Sequence, residues 1–134
     1  MTTIESNSIQ VNKPASVVYG FLANLNNHQQ LMPDSIYNWS STEDECKFTI
    51  QNMAKLELKV GERVADTSIT IVPKGEVPFP LNLKWEIIAN GDSSTAKMII
   101  NADLNPFIKM MAMSPLQKLA NFQAEKLQEI LSAS

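Results

Sequence analysis

Residues 107–132, FIKMMAMSPLQKLANFQAEKLQEILS, decide the fold. Phe107, Met110, Met113, Leu116, Ala120, Leu127 and Leu131 recur at helical spacing, with Met111, Leu119 and Ile130 beside them. Lys109, Gln117, Lys118, Lys126, Gln128 and Glu129 take the opposite side. A helix over Phe107–Ser132 would be about 39 Å long at about 1.5 Å per residue. Ser114-Pro115 interrupts it, either as the cap and first residue of a fresh helix or as a kink in a continuous one. A one-sided apolar helix of this length needs an apolar surface to lie on.

That surface is supplied upstream. From Asp34 to Leu104 the apolar period changes from helical to two. Weak alternation covers Ile36–Ser41, then an acidic turn at Glu43-Asp44-Glu45 leads into a strand over Cys46–Gln51. Ala54, Leu56, Leu58 and Val60 alternate with Lys55, Glu57 and Lys59 as in a half-buried strand. Thr67–Val72 is rich in β-branched residues. Leu81, Leu83, Trp85 and Ile87 form one apolar face, Ala96, Met98, Ile100, Ala102 and Leu104 another, and Asn90-Gly91-Asp92 supplies a hairpin turn between them. Short turns make sequence neighbours pair antiparallel. At the N-terminus, residues 2–12 read as one strand, Lys13-Pro14 opens a helix carrying Val17, Val18, Phe21, Leu22 and Leu25, and a second short helix covers Asn27 to Met32 before Pro33 ends it. The expectation is one α+β domain over residues 1–134. A seven-stranded, curved antiparallel sheet, in the order strand, two helices, six strands, helix, wraps a long C-terminal helix.

This order resembles the START and polyketide-cyclase superfamily, whose helix-grip fold includes the birch-pollen allergen. The residues that carry the resemblance are Ile9-Gln10-Val11-Asn12-Lys13-Pro14-Ala15-Ser16-Val17-Val18-Tyr19-Gly20-Phe21-Leu22, similar to the family's first strand entering a proline-led helix. Leu31-Met32-Pro33 is similar to its short second helix, and Lys84-Trp85-Glu86-Ile87 to its penultimate strand. None of these is a catalytic signature, so the resemblance bears on fold. It implies an apolar pocket between sheet and helix, which family members use for lipids, sterols, polyketides or plant hormones.

With such a pocket, the inward strand faces nominate Phe48, Leu56, Leu58, Leu83, Trp85, Met98 and Ile100 as ligand contacts. The helix nominates Met110, Met113 and Leu116. Methionine is flexible and polarizable and adapts to irregular ligands, although it fills ordinary core gaps as readily. Met53 and Met111 belong to the same set. The segment Val72-Pro73-Lys74-Gly75-Glu76-Val77-Pro78-Phe79-Pro80 cannot join the sheet. Its Phe79, with Val77, is a candidate gate, or else part of a rigid turn packed on the core rim.

Composition narrows the rest. A net charge of −3 with 11 scattered basic residues offers no face for nucleic acid or an anionic membrane. One cysteine excludes an intramolecular disulfide, one cysteine with one histidine falls short of the three or four such ligands that zinc generally takes, and the carboxylates of Glu43-Asp44-Glu45 read as a solvated hairpin turn before a metal site. Four separated glycines give no phosphate loop. No stretch approaches the roughly 20 apolar residues of a membrane span, and Met1-Thr2-Thr3-Ile4-Glu5-Ser6 lacks the pattern of a secretory signal, so the expected location is cytoplasmic. His28 sits among Asn26, Asn27, Gln29 and Gln30 and reads as an exposed helix residue. Cys46, beside the acidic turn, should have a raised thiol pKa.

No residue is assigned a catalytic role and no cofactor is expected. The first functional expectation is a carrier or sensor of a small hydrophobic molecule. The alternative is a cyclase, aromatase or dehydratase using polar groups such as Tyr19, Tyr37, Glu5, Arg63 or Asp103. A third is an interaction module, for which Ile88 and Ile99 on outward strand positions leave room, as they do for a homodimer.

Overall fold

A computed structural model describes residues 2–51, 54–76 and 79–132. It contains strands β1 (Thr2–Glu5) and β2 (Ile9–Val11), helix α1 (Ala15–Leu22) and a 3₁₀ helix (Leu25–Leu31). Strands β3 (Ile36–Ser41), β4 (Glu45–Ile50), β5 (Ala54–Val64), β6 (Ser68–Pro73), β7 (Leu81–Asn90) and β8 (Ser93–Ala102) follow, then helix α2 (Pro106–Ser132). The strands form one curved antiparallel sheet in the order β1-β8-β7-β6-β5-β4-β3, with β2 also paired to β8. The α+β helix-grip architecture read from the sequence is the observed one.

The strand count differs from seven because residues 2–12 do not form one strand. Glu5 pairs with Ile99 but Ile9 pairs with Ala96, so the register slips by one residue between them. A slip of one residue exchanges the faces of everything beyond it. It lets Ile4 and Ile9, five residues apart, both point into the core. Ser6 stitches the break: its N–H donates to the Met98 carbonyl and its Oγ accepts from the Met98 N–H, both at 2.9 Å. Similar bulges interrupt β3 between Tyr37 and Ser40 and β5 between Val60 and Glu62. At the latter the packing is tight, because a Cβ on Gly61 would lie 3.0 and 3.2 Å from the two methyls of Val72, which would have to give way by a few tenths of an ångström. Bulges add local bend and twist, which is how this sheet closes around a helix.

The β7–β8 hairpin turns at Gly91-Asp92, with Gly91 at φ +70°, as a two-residue loop with glycine at its first position demands. Beyond β8, Asn105 caps α2: its side-chain oxygen accepts from the Ile108 N–H at 2.9 Å, and Pro106 takes the first helical position. The helix continues through Pro115 without a break, which resolves the two readings of Ser114-Pro115 in favour of one rod. Its buried face is Ala112, Leu116, Leu119, Ala120, Gln123, Ala124, Leu127 and Leu131. Three alanines on that face let the helix lie close to β8, β1 and β2. Two glutamines on its flank cover the sheet edge: Gln117 donates to the Glu5 carbonyl and Gln128 to the Gln10 carbonyl, each at 2.9 Å. Edge carbonyls so occupied are closed to another strand.

The first turns of α2 depart from the sequence reading. Phe107, Met110 and Met111 are exposed, Met110 by 86%, and Met113 is half-buried against the core. The apolar stripe outruns the sheet, so its N-terminal turns project past the surface meant to receive them. The short second helix is 3₁₀ and starts two residues earlier than expected.

Candidate functional site

Two spaces with a shared wall lie between α2 and the sheet. The larger is an open groove of about 360 Å³. One wall is the turn into β3 (Pro33, Ser35 and Ile36), another the end of β4 (Ile50 and Gln51), and the third is α2 from Pro115 to Phe122. The smaller is an interior void of about 20 Å³, enough for one water. Ile50, Leu116 and Leu119 border both, so these three side chains separate the groove from the void.

Of the ten residues nominated as ligand contacts, Phe48, Leu56, Leu58, Leu83, Met98 and Leu116 line the void. Leu116 also lines the groove. Trp85 and Ile100 are fully buried in the core outside the lining. Met110 and Met113 border neither space; Met110 points to solvent. Phe79 is buried with the core cluster and lines neither space. Met53 and Val77 lie outside the described residues. The large enclosed pocket is reduced to the void, because Trp39, stacked on Phe48 with ring centres 5.4 Å apart, and the long side chains of Met32 and Met98 occupy its volume. The bulge in β3 produces this arrangement by bringing Ile36 and Trp39, three residues apart, to the same side.

The void is also lined by polar groups. His28 is buried rather than exposed. Its Nε2 lies 2.8 Å from the Leu22 carbonyl. A carbonyl only accepts, so Nε2 holds a proton and donates it, and in the neutral ring Nδ1 is an acceptor. Burial pushes the imidazole down to about pH 4, outweighing the opposite pull of the Leu22 bond. Gln123, on α2, is buried on the same void. Cys46 is there too, its thiol pushed up to about 12 by burial; the acidic turn is not the cause. The signal for His28 was present in the triplet Leu25, His28, Leu31, which shares one edge at three residues per turn; all three are buried.

The polar candidates for acid–base work lie elsewhere. Tyr37 and Asp103 are exposed, Tyr19 is half-buried, and none of them borders the groove or void. Glu5 pairs with Lys97 at 2.9 Å on the surface. Arg63 pairs with Asp44 at 2.8 Å and donates to the carbonyls of Ala23 and Glu43, tying the far end of β5 to the loops. Ile88 is exposed and Ile99 half-buried, and the pairing of Ile99 with Lys84 sets them four rungs apart rather than in one patch. Among the described residues no group of three His, Cys, Asp or Glu could hold a metal ion, and no helix is long and apolar enough to cross a membrane.

Comparison of the whole architecture with solved structures gives its class: the chain has a START/polyketide-cyclase-like fold. It is similar to the protein XoxI from Bacillus cereus, with a TM-score of 0.75 and 11% identity over 98% of this chain and 96% of that one. A START superfamily protein from Mycobacterium smegmatis matches at a TM-score of 0.65 and 14% identity over 96% and 98%. The di-domain ARO/CYC BexL of the BE-7585A biosynthetic pathway matches at a TM-score of 0.71 and 13% identity; this chain covers 46% of that protein, about one of its two domains. No family model and no curated protein matches the sequence.

Proposed function

We propose that this chain binds a small, largely apolar molecule in the groove between the β3–β4 end of the sheet and α2. The observation that carries this reading is an apolar groove at the seam of sheet and helix whose inner wall, Ile50, Leu116 and Leu119, also lines the void. Its volume of about 360 Å³ falls at the lower end of the range for small-molecule sites, about 300–1,000 Å³. Ile36, Ile50, Leu116, Leu119 and Phe122 give it an apolar lining, and Lys118 and Gln51 stand among its polar groups. A ligand there would rest on the side chains that close the void and reach further inward when they change rotamer. The fold neighbours support such a role in kind and leave the ligand open.

Binding is favoured over catalysis by the character of His28. An imidazole on the void wall is what an acid–base enzyme would use. However, a general base works best with a pKa near the working pH, and burial holds this one at about 4. A neutral, weakly basic ring suits the recognition of a hydrogen-bond donor better than the removal of a proton from carbon.

The test uses the fluorescent apolar probe 1-anilinonaphthalene-8-sulfonate with the wild type and Leu119→Trp. Indole bulk at Leu119 fills the wall shared by groove and void, so probe affinity should fall at least about tenfold, while overpacking of about 1–3 kcal/mol lowers the melting temperature by roughly 5–15 °C and leaves a cooperative transition. Equal affinity in the two proteins would place the probe elsewhere and remove the groove as the site.

A further inference from the structure

We infer that the molecule held in the groove presents a neutral hydrogen-bond donor, a hydroxyl or N–H, at its inner end, received by Oε1 of Gln123; this rests on the groove being the binding site. Among the described residues two buried side-chain polar atoms have no partner, Gln123 Oε1 and the indole Nε1 of Trp85. Only Gln123 borders the void. Its orientation follows from its neighbour. The amide nitrogen lies 3.6 Å from the Met32 sulfur, and a thioether accepts but cannot donate. The NH₂ must therefore face Met32, which leaves the carbonyl oxygen as the free end.

A carbonyl oxygen taken from water and left unpaired is a standing cost, and a leucine or methionine at this point of the apolar face would avoid it. Gln123 lies one turn beyond Leu119 and two beyond Leu116, the residues at the groove's junction with the void. Leu116 and Leu119 line both spaces and Gln123 lines the void alone, so a molecule that displaces those two side chains from the groove side reaches the space that Gln123 borders. Two polar rings also line the void, and each spends its N–H elsewhere, His28 on the Leu22 carbonyl and Trp39 on Ser41 Oγ, which leaves the imidazole as a further acceptor. No lysine or arginine lines the void. Its chemistry therefore accepts a hydroxyl or N–H and offers no cation to a carboxylate. In the unliganded protein the void has room for one water to serve the same oxygen.

Matched probes separate this inference from the groove reading beneath it. The affinities of 2-naphthol, 2-methoxynaphthalene and 2-naphthoate are measured at neutral pH by calorimetry on wild type, Gln123→Leu and Gln123→Met. Wild type should bind the naphthol at least about tenfold more tightly than the methyl ether or the carboxylate. Both variants should bring naphthol and ether to within about twofold while still binding the ether, which also shows that they are folded. Equal affinities for naphthol and ether in the wild type, or a preference that survives in both variants, overturns the donor assignment and leaves the groove intact. Failure of all three probes to bind the wild type overturns the groove reading and this inference together.

Discussion

Acidification should destabilise this protein through its single histidine. His28 has a pKa of about 4 in the folded chain against 6.5 for the free side chain. Because the folded value is the lower one, the unfolded chain takes up the proton first as the pH falls. The stability is thus complete above about pH 7 and is lost progressively from about pH 6.5 down to about pH 4. A shift of this size corresponds to roughly 3 kcal/mol in full, of which roughly 2 kcal/mol is already gone at pH 5. Against the 5–15 kcal/mol typical of a domain, that is a large fraction. Carboxylates titrate over the lower part of this window, so a variant is needed to isolate the imidazole. His28→Gln keeps an N–H donor for the Leu22 carbonyl and removes the titration. Urea unfolding of both proteins at pH 7.5, 6, 5 and 4.5 should show the wild type losing roughly 2 kcal/mol more than the variant by pH 5. NMR of the one imidazole should show no protonation above pH 5. Parallel curves for the two proteins, or an imidazole titrating near 6.5, would refute the buried neutral histidine.

Two further predictions concern the frame of the site. Cys46 is buried, with its thiol held near 12, so alkylation by iodoacetamide at pH 8 should run about a thousandfold slower than in the unfolded chain; labelling of native protein at the unfolded rate would contradict its position. Ser6→Ala removes the acceptor of the Met98 N–H at the β1–β2 break, which should cost about 1–3 kcal/mol in urea unfolding and raise hydrogen exchange at the Met98 amide; an unchanged amide would mean that Ser6 does not hold the register.

The fold was legible because its signals are periodic. Strands β7 and β8 bury every second residue for most of their length, and α2 buries a stripe at spacings of three and four. Such patterns survive in sequence because each position repeats the same choice of inside or outside. The bulges did not repeat anything. Ser6, Asn7 and Ser8 look like an ordinary polar interruption, and nothing local reveals that the register shifts there or that Ile4 and Ile9 end on the same side. The exposure of Met110 depends on where the sheet ends beneath the helix, which is a long-range property.

The groove and the buried polar groups beside it were not legible in the sequence for a related reason. A search for ligand contacts by apolar alternation selects residues that fill a core, and six of the ten nominated residues line a void that holds little more than one water. Residues that discriminate among ligands are the exceptions to that pattern. Gln123 falls on the stripe of Leu116, Ala120 and Leu127, at a position where the helix spacing calls for an apolar side chain, and His28 falls on the edge shared by Leu25 and Leu31. Each is a polar residue at a buried register. Burying a polar group is unfavourable unless it is paired, so its retention points to a partner. For His28 that partner is the Leu22 carbonyl within the chain. For the Gln123 oxygen no such partner exists among the described residues, and Gln123 borders the void, which shares the wall of Ile50, Leu116 and Leu119 with the groove. In this fold, therefore, the informative positions are those where helical or 3₁₀ spacing requires an apolar residue and the chain places an amide or an imidazole instead.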